Sequence, residues 1–244
     1  MIRTYTVNST LKLENKESAV ITIILKGENI SIDYALENGD YNILVFNDSE
    51  SDVNLEESGF IKNGSLKISY IELNNFKYRQ HNTLEVYKDS SLTVDSIYLG
   101  INNKEINFDL LNKEGYSSVE ISNNVVCLKD SEISLSVTGN IRKGSKGCKC
   151  HQKTRCLTFE NPKYAKVLPV LNIDECDVEA SHSLSSGTID EEVLFYMNSR
   201  GLSQTNALSL LLHSYLMPDD EFYKFFENGE MIKEKAASKV ENIC

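Results

Sequence analysis

The stretch "VEASHSLSSGTIDEEVLFYMNSRGLSQTNALSLLLHSYL" (178–216) marks a change from strand to helix in this chain. Its first residues are small and polar, whereas the segment that begins at Thr188 carries helix signals at both ends. Thr188 and Glu191 have the spacing of a capping box, and acidic residues fill the first turn, where the helix dipole favours them. Gly201 can adopt the left-handed conformation that ends a helix. The stretch therefore predicts a helix that begins near residue 188.

Two further helices are predicted downstream. Ser203 can cap a second helix, and one face of that helix is apolar (Ala207, Leu208, Leu211, Leu212 and Tyr215). Pro218 and the acidic residues after it can begin a third helix, whose apolar face is supplied by phenylalanines (Phe222, Phe225 and Phe226). The chain is thus expected to end in about three helices.

Residues 1 to about 172 show the alternation of apolar and polar residues that is typical of β-strands. "LKISY" (66–70) and "INFDL" (106–110) are two of many such segments, and polar turns rich in Asn, Asp and Ser separate them. The strands are short and no fixed repeat length emerges. The residues alone therefore leave a parallel β-solenoid and a β-sandwich as comparable interpretations.

Composition excludes several classes of function. The 244 residues carry a net charge of −11, so the chain repels nucleic acid and anionic lipid, and neither is expected as a partner. Apolar runs are shorter than the ~20 residues of a membrane span, and the first residues lack the apolar core of a signal peptide. We expect a cytoplasmic protein whose six cysteines are mostly free thiols.

"GCKCHQKTRC" (147–156) contains three cysteines and a histidine among basic residues. Cys148, Cys150, His151 and Cys156 are suitable metal ligands, but the second pair of a zinc knuckle is missing. In a strand, Cys148 and Cys150 point to the same side. Two interpretations stay open: a metal site, or a basic turn between strands with its thiols packed inward.

His182 is the second candidate, because it lies between the last predicted strand and the first helix, close in sequence to Cys176 and Glu179. A histidine there is either a hydrogen-bonding group or a ligand. The sequence shows no Gly-rich phosphate loop, no G-x-S-x-G elbow and no H-E-x-x-H motif. We therefore expect a protein that is not an enzyme.

The stretch 139–217 resembles the SufB/SufD family of iron–sulfur cluster assembly proteins. The resemblance is carried by His182, by the "DEEVLFY" helix start, by the "SRGL" turn and by the leucine-rich helix after Ser203. Upstream, "GNIRKGSKGCKCHQKTRCLTFENPKYAKVLPVLNID" (139–174) is similar to the strands that precede this region in the family.

The resemblance implies a mainly β fold, a right-handed parallel β-helix with a short C-terminal α-helical region. It favours a β-helix core over 1–175 and a helical segment over 176–244 that docks onto a SufC-like ABC-type ATPase. It further implies a scaffold that forms a homodimer or a SufB/SufD-like heterodimer. Such a scaffold holds a transient iron–sulfur cluster and no permanent cofactor.

The resemblance also assigns candidate residues. His182 falls on a family histidine that is implicated in cluster assembly, and further candidates lie nearby (Cys148, Cys150, Cys156, Cys176 and Glu179). His182 and Cys150 are the expected metal ligands, and the basic residues around the thiols are expected to lower the thiol pKa. The ATPase is expected to contact Phe195, Tyr196, Arg200 and Leu202. Two alternatives are a solenoid interaction module without cluster chemistry and a Cys/His metal-dependent β-fold enzyme.

Overall fold

A computed structural model describes residues 1–159, 162–188 and 191–241, which contain fifteen strands and four helices. The strands are β1 (Ile2–Val7), β2 (Thr10–Asn15), β3 (Ala19–Leu25), β4 (Asn29–Glu37), β5 (Asp40–Asn47), β6 (Val53–Lys62), β7 (Ser65–Glu72), β8 (Tyr78–Val86), β9 (Ser91–Gly100), β10 (Lys104–Asn112), β11 (Ser118–Cys127), β12 (Glu132–Ile141), β13 (Cys148–Thr158), β14 (Tyr164–Ile173) and β15 (Val178–Thr188). The helices are α1 (Glu191–Ser199), α2 (Gln204–Leu216), α3 (Asp220–Lys224) and α4 (Gly229–Glu241).

The strands form two parallel sheets that run the length of the molecule. The odd-numbered strands build the first sheet in the order β1 to β15, and the even-numbered strands build the second in the order β2 to β14. Each strand pairs with the strand two positions along the chain, so one odd and one even strand make one turn of a solenoid. The predicted β-solenoid is therefore confirmed, and the sandwich is excluded.

Inward-facing apolar side chains from both sheets fill the solenoid. One column in the first sheet consists of residues in direct register and buried (Ile21, Ile43, Ile68, Val94 and Ile121). Full burial of such a side chain contributes about 1.5–3 kcal/mol. Because each turn contributes one member, the column holds successive turns in register.

A buried polar group interrupts this apolar core. Glu57 is 2% exposed and accepts hydrogen bonds from the hydroxyls of Tyr34 and Tyr70, both at 2.6 Å, and from the side-chain amide of Asn82. Burial raises the pKa of Glu57, and the three donors oppose that shift by stabilising the carboxylate. The donors come from strands of both sheets, so this polar cluster also ties the sheets together.

The helices pack on the outer face of the first sheet. A second apolar cluster joins sheet residues such as Phe46 and Val126 to helix residues such as Leu212, Tyr223 and Ile232. Ser203 caps α2 as predicted, since its hydroxyl accepts the backbone N–H of Asn206 at 3.2 Å. Gly201 has a φ of 95°, which confirms the predicted left-handed end of α1.

One boundary and the number of described helices differ from the predictions. The solenoid continues past residue 175, because β15 pairs with β13 along its whole length and ends at Thr188. The helical part also has one helix more than predicted, since α4 follows α3. Asp190 is one of the acidic residues of the predicted first helical turn, and it lies outside the described residues.

Candidate functional site at the C-terminal end of the solenoid

The last turn of the solenoid leaves an open end face. Each of its strands, β14 and β15, pairs on one side only within the described ranges. Ile173 and Leu184 have the inward-facing orientation of core residues, yet they are 41% and 46% exposed because no described turn covers them. We call the following seven inward-facing side chains of these two strands the end face (Val167, Leu171, Ile173, Val178, Ala180, His182 and Leu184).

His182 lies in the middle of the end face. Val178 and Ala180 pack against the core, and strand alternation gives His182 the same orientation two residues further on. The side chain is exposed because β15 is the last strand of its sheet. The prediction that His182 occupies a loop is wrong: backbone pairing with β13 holds it in a strand.

Gln152 is the register partner of His182 on β13 and is 4% exposed. Its side-chain Nε2 donates to the backbone carbonyl of Val170 at 3.0 Å. Its Oε1 is buried and has no hydrogen-bond partner among the described residues. Sequence reasoning missed Gln152, although the alternation in "CKCHQKTRC" already placed it on the same side as the cysteines.

Three cysteines of this region point into the solenoid. Cys148, Cys150 and Cys156 are buried, and Gly139 makes room for Cys150, because a Cβ at Gly139 would lie 2.5 Å from the sulfur. Burial raises the pKa of Cys150 and of Cys156 to about 11. The expected lowering of thiol pKa is therefore wrong for these two cysteines.

The neighbouring basic side chains do not act on these thiols because they point the other way. Lys149, Lys153 and Arg155 alternate with the cysteines along β13 and are exposed on the outer face of the sheet. Arg155 lies over the ring of Tyr215, with its guanidinium carbon 5.0 Å from the ring centroid. The alternation of side chains along β13 thus places the positive charges on the outer face of the sheet and the thiols on the inner face.

Other predicted site residues lie away from His182. His151 faces outward, with Nδ1 2.8 Å from the hydroxyl oxygen of Ser181, and Glu179 forms an outward-facing ion pair of 3.1 Å with Lys149. Cys176 is exposed in the turn before β15. The "GCKCHQKTRC" stretch therefore does not converge on one point.

The two expected metal ligands lie on neighbouring strands. Cys150 is in register with Ala180, two residues before His182, and both candidates have the inward-facing orientation. Cys150 is buried whereas His182 is exposed. The described part of the chain contains no group of three or more His, Cys, Asp or Glu side chains that could hold a metal ion.

Helix α1 presents an aromatic surface. Phe195 is 75% exposed and Tyr196 is 57% exposed, while Leu194 on the opposite side is buried. The guanidinium carbon of Arg200 lies 5.1 Å from the centroid of the Tyr196 ring. Leu202 differs from these residues, because it is partly buried against the apolar cluster beneath the helices.

The fold and the end face together define a parallel β-solenoid with an open, partly apolar end and an appended helical unit. Residues 14–215 match the family model described as "SUF system FeS cluster assembly, SufBD core domain". The chain therefore belongs to the SufBD core family, as its sequence resemblance predicted.

Individual relatives agree with this assignment. The chain is 25% identical to the iron–sulfur cluster assembly protein SufD of Bacillus subtilis over 88% of its own length and 49% of that protein. It is 27% identical to a SufBD family protein of Archaeoglobus fulgidus over 67% of its length and 43% of that protein. It is 38% identical to Escherichia coli SufD over 47 residues, which are 19% of this chain and 11% of that protein. The chain thus spans about half the length, or less, of these curated relatives.

Membership of this family supports a role in iron–sulfur cluster assembly. Among the helices that the structure describes, none has the length and apolar character needed to cross a bilayer.

Proposed function

We propose that this protein is a non-enzymatic scaffold on which an iron–sulfur cluster is assembled transiently, in a complex with a SufC-like ABC-type ATPase. The observation that carries the proposal is the position of His182, exposed in the centre of an open solenoid end. Imidazole is a suitable ligand for iron, and an incomplete ligand set suits a cluster that must be released again. The cluster is the product of this process and not a resident cofactor.

The end face supports pairing with a second SufBD-type chain, which is either a copy of this protein or a SufB/SufD-like partner. Exposed strand edges and exposed Ile173 and Leu184 favour contact with another chain. Pairing would bury these apolar groups and surround His182 with residues of the second chain. Ligands that this chain lacks around His182 would then come from the partner.

The aromatic surface of α1 supports ATPase docking. Aromatic and arginine side chains dominate binding energy at protein interfaces. Phe195 and Tyr196 are exposed on α1, and Arg200, directly after the helix, lies against the Tyr196 ring. Phe195 is the sharpest probe, since its side chain is exposed and contributes little to packing. Leu202 is a poorer probe, because an acidic residue there would also disturb the apolar cluster.

Co-purification with a co-expressed SufC-like ATPase tests the docking surface. We expect Phe195→Asp to reduce recovery of the complex by more than tenfold, as the loss of an interface hot spot does. Tyr116→Asp is the matched control, because Tyr116 is also an exposed aromatic residue, at 66%, but lies in the turn before β11. Equal recovery with both variants would show that α1 is not the docking surface.

Anaerobic reconstitution with ferrous iron and sulfide tests the scaffold function, with visible absorption as the measurement. We expect a chromophore with the wild-type complex and its loss in His182→Ala. His81→Ala is the control, because His81 is an exposed histidine on the outer face of β8. A full chromophore in His182→Ala would remove this residue from the mechanism.

A solenoid interaction module without cluster chemistry is the second candidate. The burial of Cys148, Cys150 and Cys156 favours it, because thiols inside a core are shielded from reaction partners. The raised pKa of Cys150 and of Cys156 adds to this, since a protonated thiol is a poor nucleophile and a poor ligand. Under this alternative no chromophore forms in reconstitution, with or without the ATPase.

A further inference from the structure

Gln152 has an unusual hydrogen-bonding state for a core residue. A buried amide oxygen without a partner costs about 1–3 kcal/mol, and Oε1 of Gln152 is such a group within the described residues. Its column neighbours in the preceding turns, Ile121 and Val94, are apolar, and an apolar residue would fill the same position without that cost. Packing alone therefore does not explain why a glutamine occupies this position.

The orientation of the amide is fixed by its surroundings. The carbonyl of Val170 can only accept a hydrogen bond, so the side-chain atom 3.0 Å from it is the NH2 group of Gln152. Gly139 also packs closely against Nε2 of Gln152: a side-chain Cβ at position 139 would lie only 2.9 Å from this nitrogen. The oxygen is consequently the atom of this amide that remains free to accept a hydrogen bond.

His182 is the residue next to Gln152 in the register of the sheet, and its side chain is polar. Gln152 and His182 are direct partners on adjacent parallel strands, about 4.8 Å apart, and share the inward-facing orientation. Within the described residues, no contact competes for the ring N–H of His182, and an imidazole always has at least one N–H to donate.

We propose that Gln152 is a positioning residue for His182. Its Oε1 accepts the N–H of one ring nitrogen, which fixes the tautomer and leaves the lone pair of the other nitrogen directed toward the end face. Histidines that bind metal ions almost always donate their second ring N–H to an oxygen acceptor in this way. The inference rests on the proposed function in one respect: the freed nitrogen is the atom that would bind iron.

The tautomer of His182 can be measured without iron, in the full-length protein labelled with nitrogen-15 histidine. Two-bond nitrogen–proton correlation spectra at a pH where the ring is neutral report which nitrogen carries the proton, and His182→Ala assigns the signals. We expect one dominant tautomer in the wild type. In Gln152→Met, which keeps the side-chain length and removes the acceptor, the ratio of tautomers should change by about three- to tenfold, the effect of one hydrogen bond.

Two further variants keep this test decisive. Thr154→Val is the control, because it also removes a buried polar group from β13: the Thr154 hydroxyl accepts a hydrogen bond from Asn123 at 3.1 Å. Thr154 is in register with Leu184 and not with His182, so this variant should leave the His182 tautomer unchanged. Gln152→Glu retains an acceptor oxygen and should restore the wild-type tautomer. An unchanged ratio in Gln152→Met would overturn the positioning role.

Reconstitution separates this inference from the proposed function. If the tautomer changes as expected and Gln152→Met also weakens the iron–sulfide chromophore, both stand. If the tautomer changes but His182→Ala forms a full chromophore, the hydrogen bond stands and the scaffold role of His182 fails. If the tautomer ratio is unchanged while His182→Ala abolishes the chromophore, the scaffold role stands and Gln152 is excluded.

Discussion

Replacement of Tyr70 by phenylalanine tests whether the buried polar cluster holds the solenoid together. The Tyr70 hydroxyl donates to Glu57 at 2.6 Å and accepts from the Asn82 amide at 2.7 Å, and the side chain is 1% exposed. At a pH above the pKa of Glu57 in the folded state, where this carboxyl is charged, a hydrogen bond to it contributes about 1.5–3 kcal/mol, and water cannot replace the lost hydroxyl at this depth. We expect Tyr70→Phe to lower the free energy of unfolding by about 2–3 kcal/mol.

Tyr223→Phe is a matched control, because Tyr223 is equally buried but its hydroxyl has no hydrogen-bond partner in the described structure. Removal of an unpaired buried hydroxyl should leave stability unchanged or raise it. For a chain of this length, the loss expected in Tyr70→Phe corresponds to a fall in Tm of about 4–12 °C, measurable by calorimetry or circular dichroism. A fall below about 1 °C, or an equal fall in Tyr223→Phe, would refute the argument that Tyr70 acts through Glu57.

Three other predictions follow from buried charges and thiols. Lys104→Met should destabilise the fold by about 3–5 kcal/mol in urea unfolding, because it leaves Glu72, its partner at 2.6 Å, buried without its countercharge. Burial raises the pKa of Glu57, so the folded state binds its proton more readily than the unfolded state does. Protonation of Glu57 therefore stabilises the folded state below about pH 4.3, and this contribution is lost as the pH rises through the pKa of Glu57 in the folded state. The Tm of the wild type should therefore fall relative to Glu57→Gln between pH 4 and 8, and a constant difference would contradict this sign. Iodoacetamide should alkylate exposed Cys176 at least tenfold faster than Cys150, whose pKa is raised to about 11, as site-resolved mass spectrometry can show.

The strands could be predicted from sequence because their alternation is local, but the solenoid could not. Register partners lie 18 residues apart at the start of the chain, as Ile2 and Val20 do, and 30 residues apart at its end, as Gln152 and His182 do. The growing length of the turns removes any fixed repeat from the sequence. The resemblance to a known family, and not periodicity, favoured the correct architecture.

Parts of the site depend on neighbours that a sequence does not reveal. "SHSLSSG" (181–187) lacks apolar alternation because β15 is exposed on both faces, and its conformation is set by hydrogen bonds to β13. The side of a strand on which Cys150 lies was predictable, but its burial and raised pKa depend on the turns stacked around it. Gln152 became a candidate only when its burial and unpaired oxygen were known.

The composition of the end face yields a final prediction about pairing. In the central column, the residues from Ile21 to Ile121 are apolar, and the last two positions are Gln152 and His182. Around this polar pair the end face remains apolar, with Leu184 and Ile173 exposed. A surface of this kind favours association with a second chain, because association buries the exposed Leu184 and Ile173. The same association would remove water from the imidazole of His182, and the lower local dielectric would strengthen its hydrogen bonds.

Leu184→Asp separates pairing from chemistry. Because Leu184 is 46% exposed in the single chain, the substitution should change monomer stability by no more than about 0.5 kcal/mol. In a paired state it would bury an unpaired charge, so we expect the variant to elute as a monomer in light-scattering chromatography while His182→Ala keeps the wild-type oligomer. Both variants should lose the reconstituted chromophore, since one lacks the partner's ligands and the other lacks the imidazole. If Leu184→Asp instead retains the wild-type mass, chains do not pair through the end face, and ligands from a second chain cannot complete the site at His182.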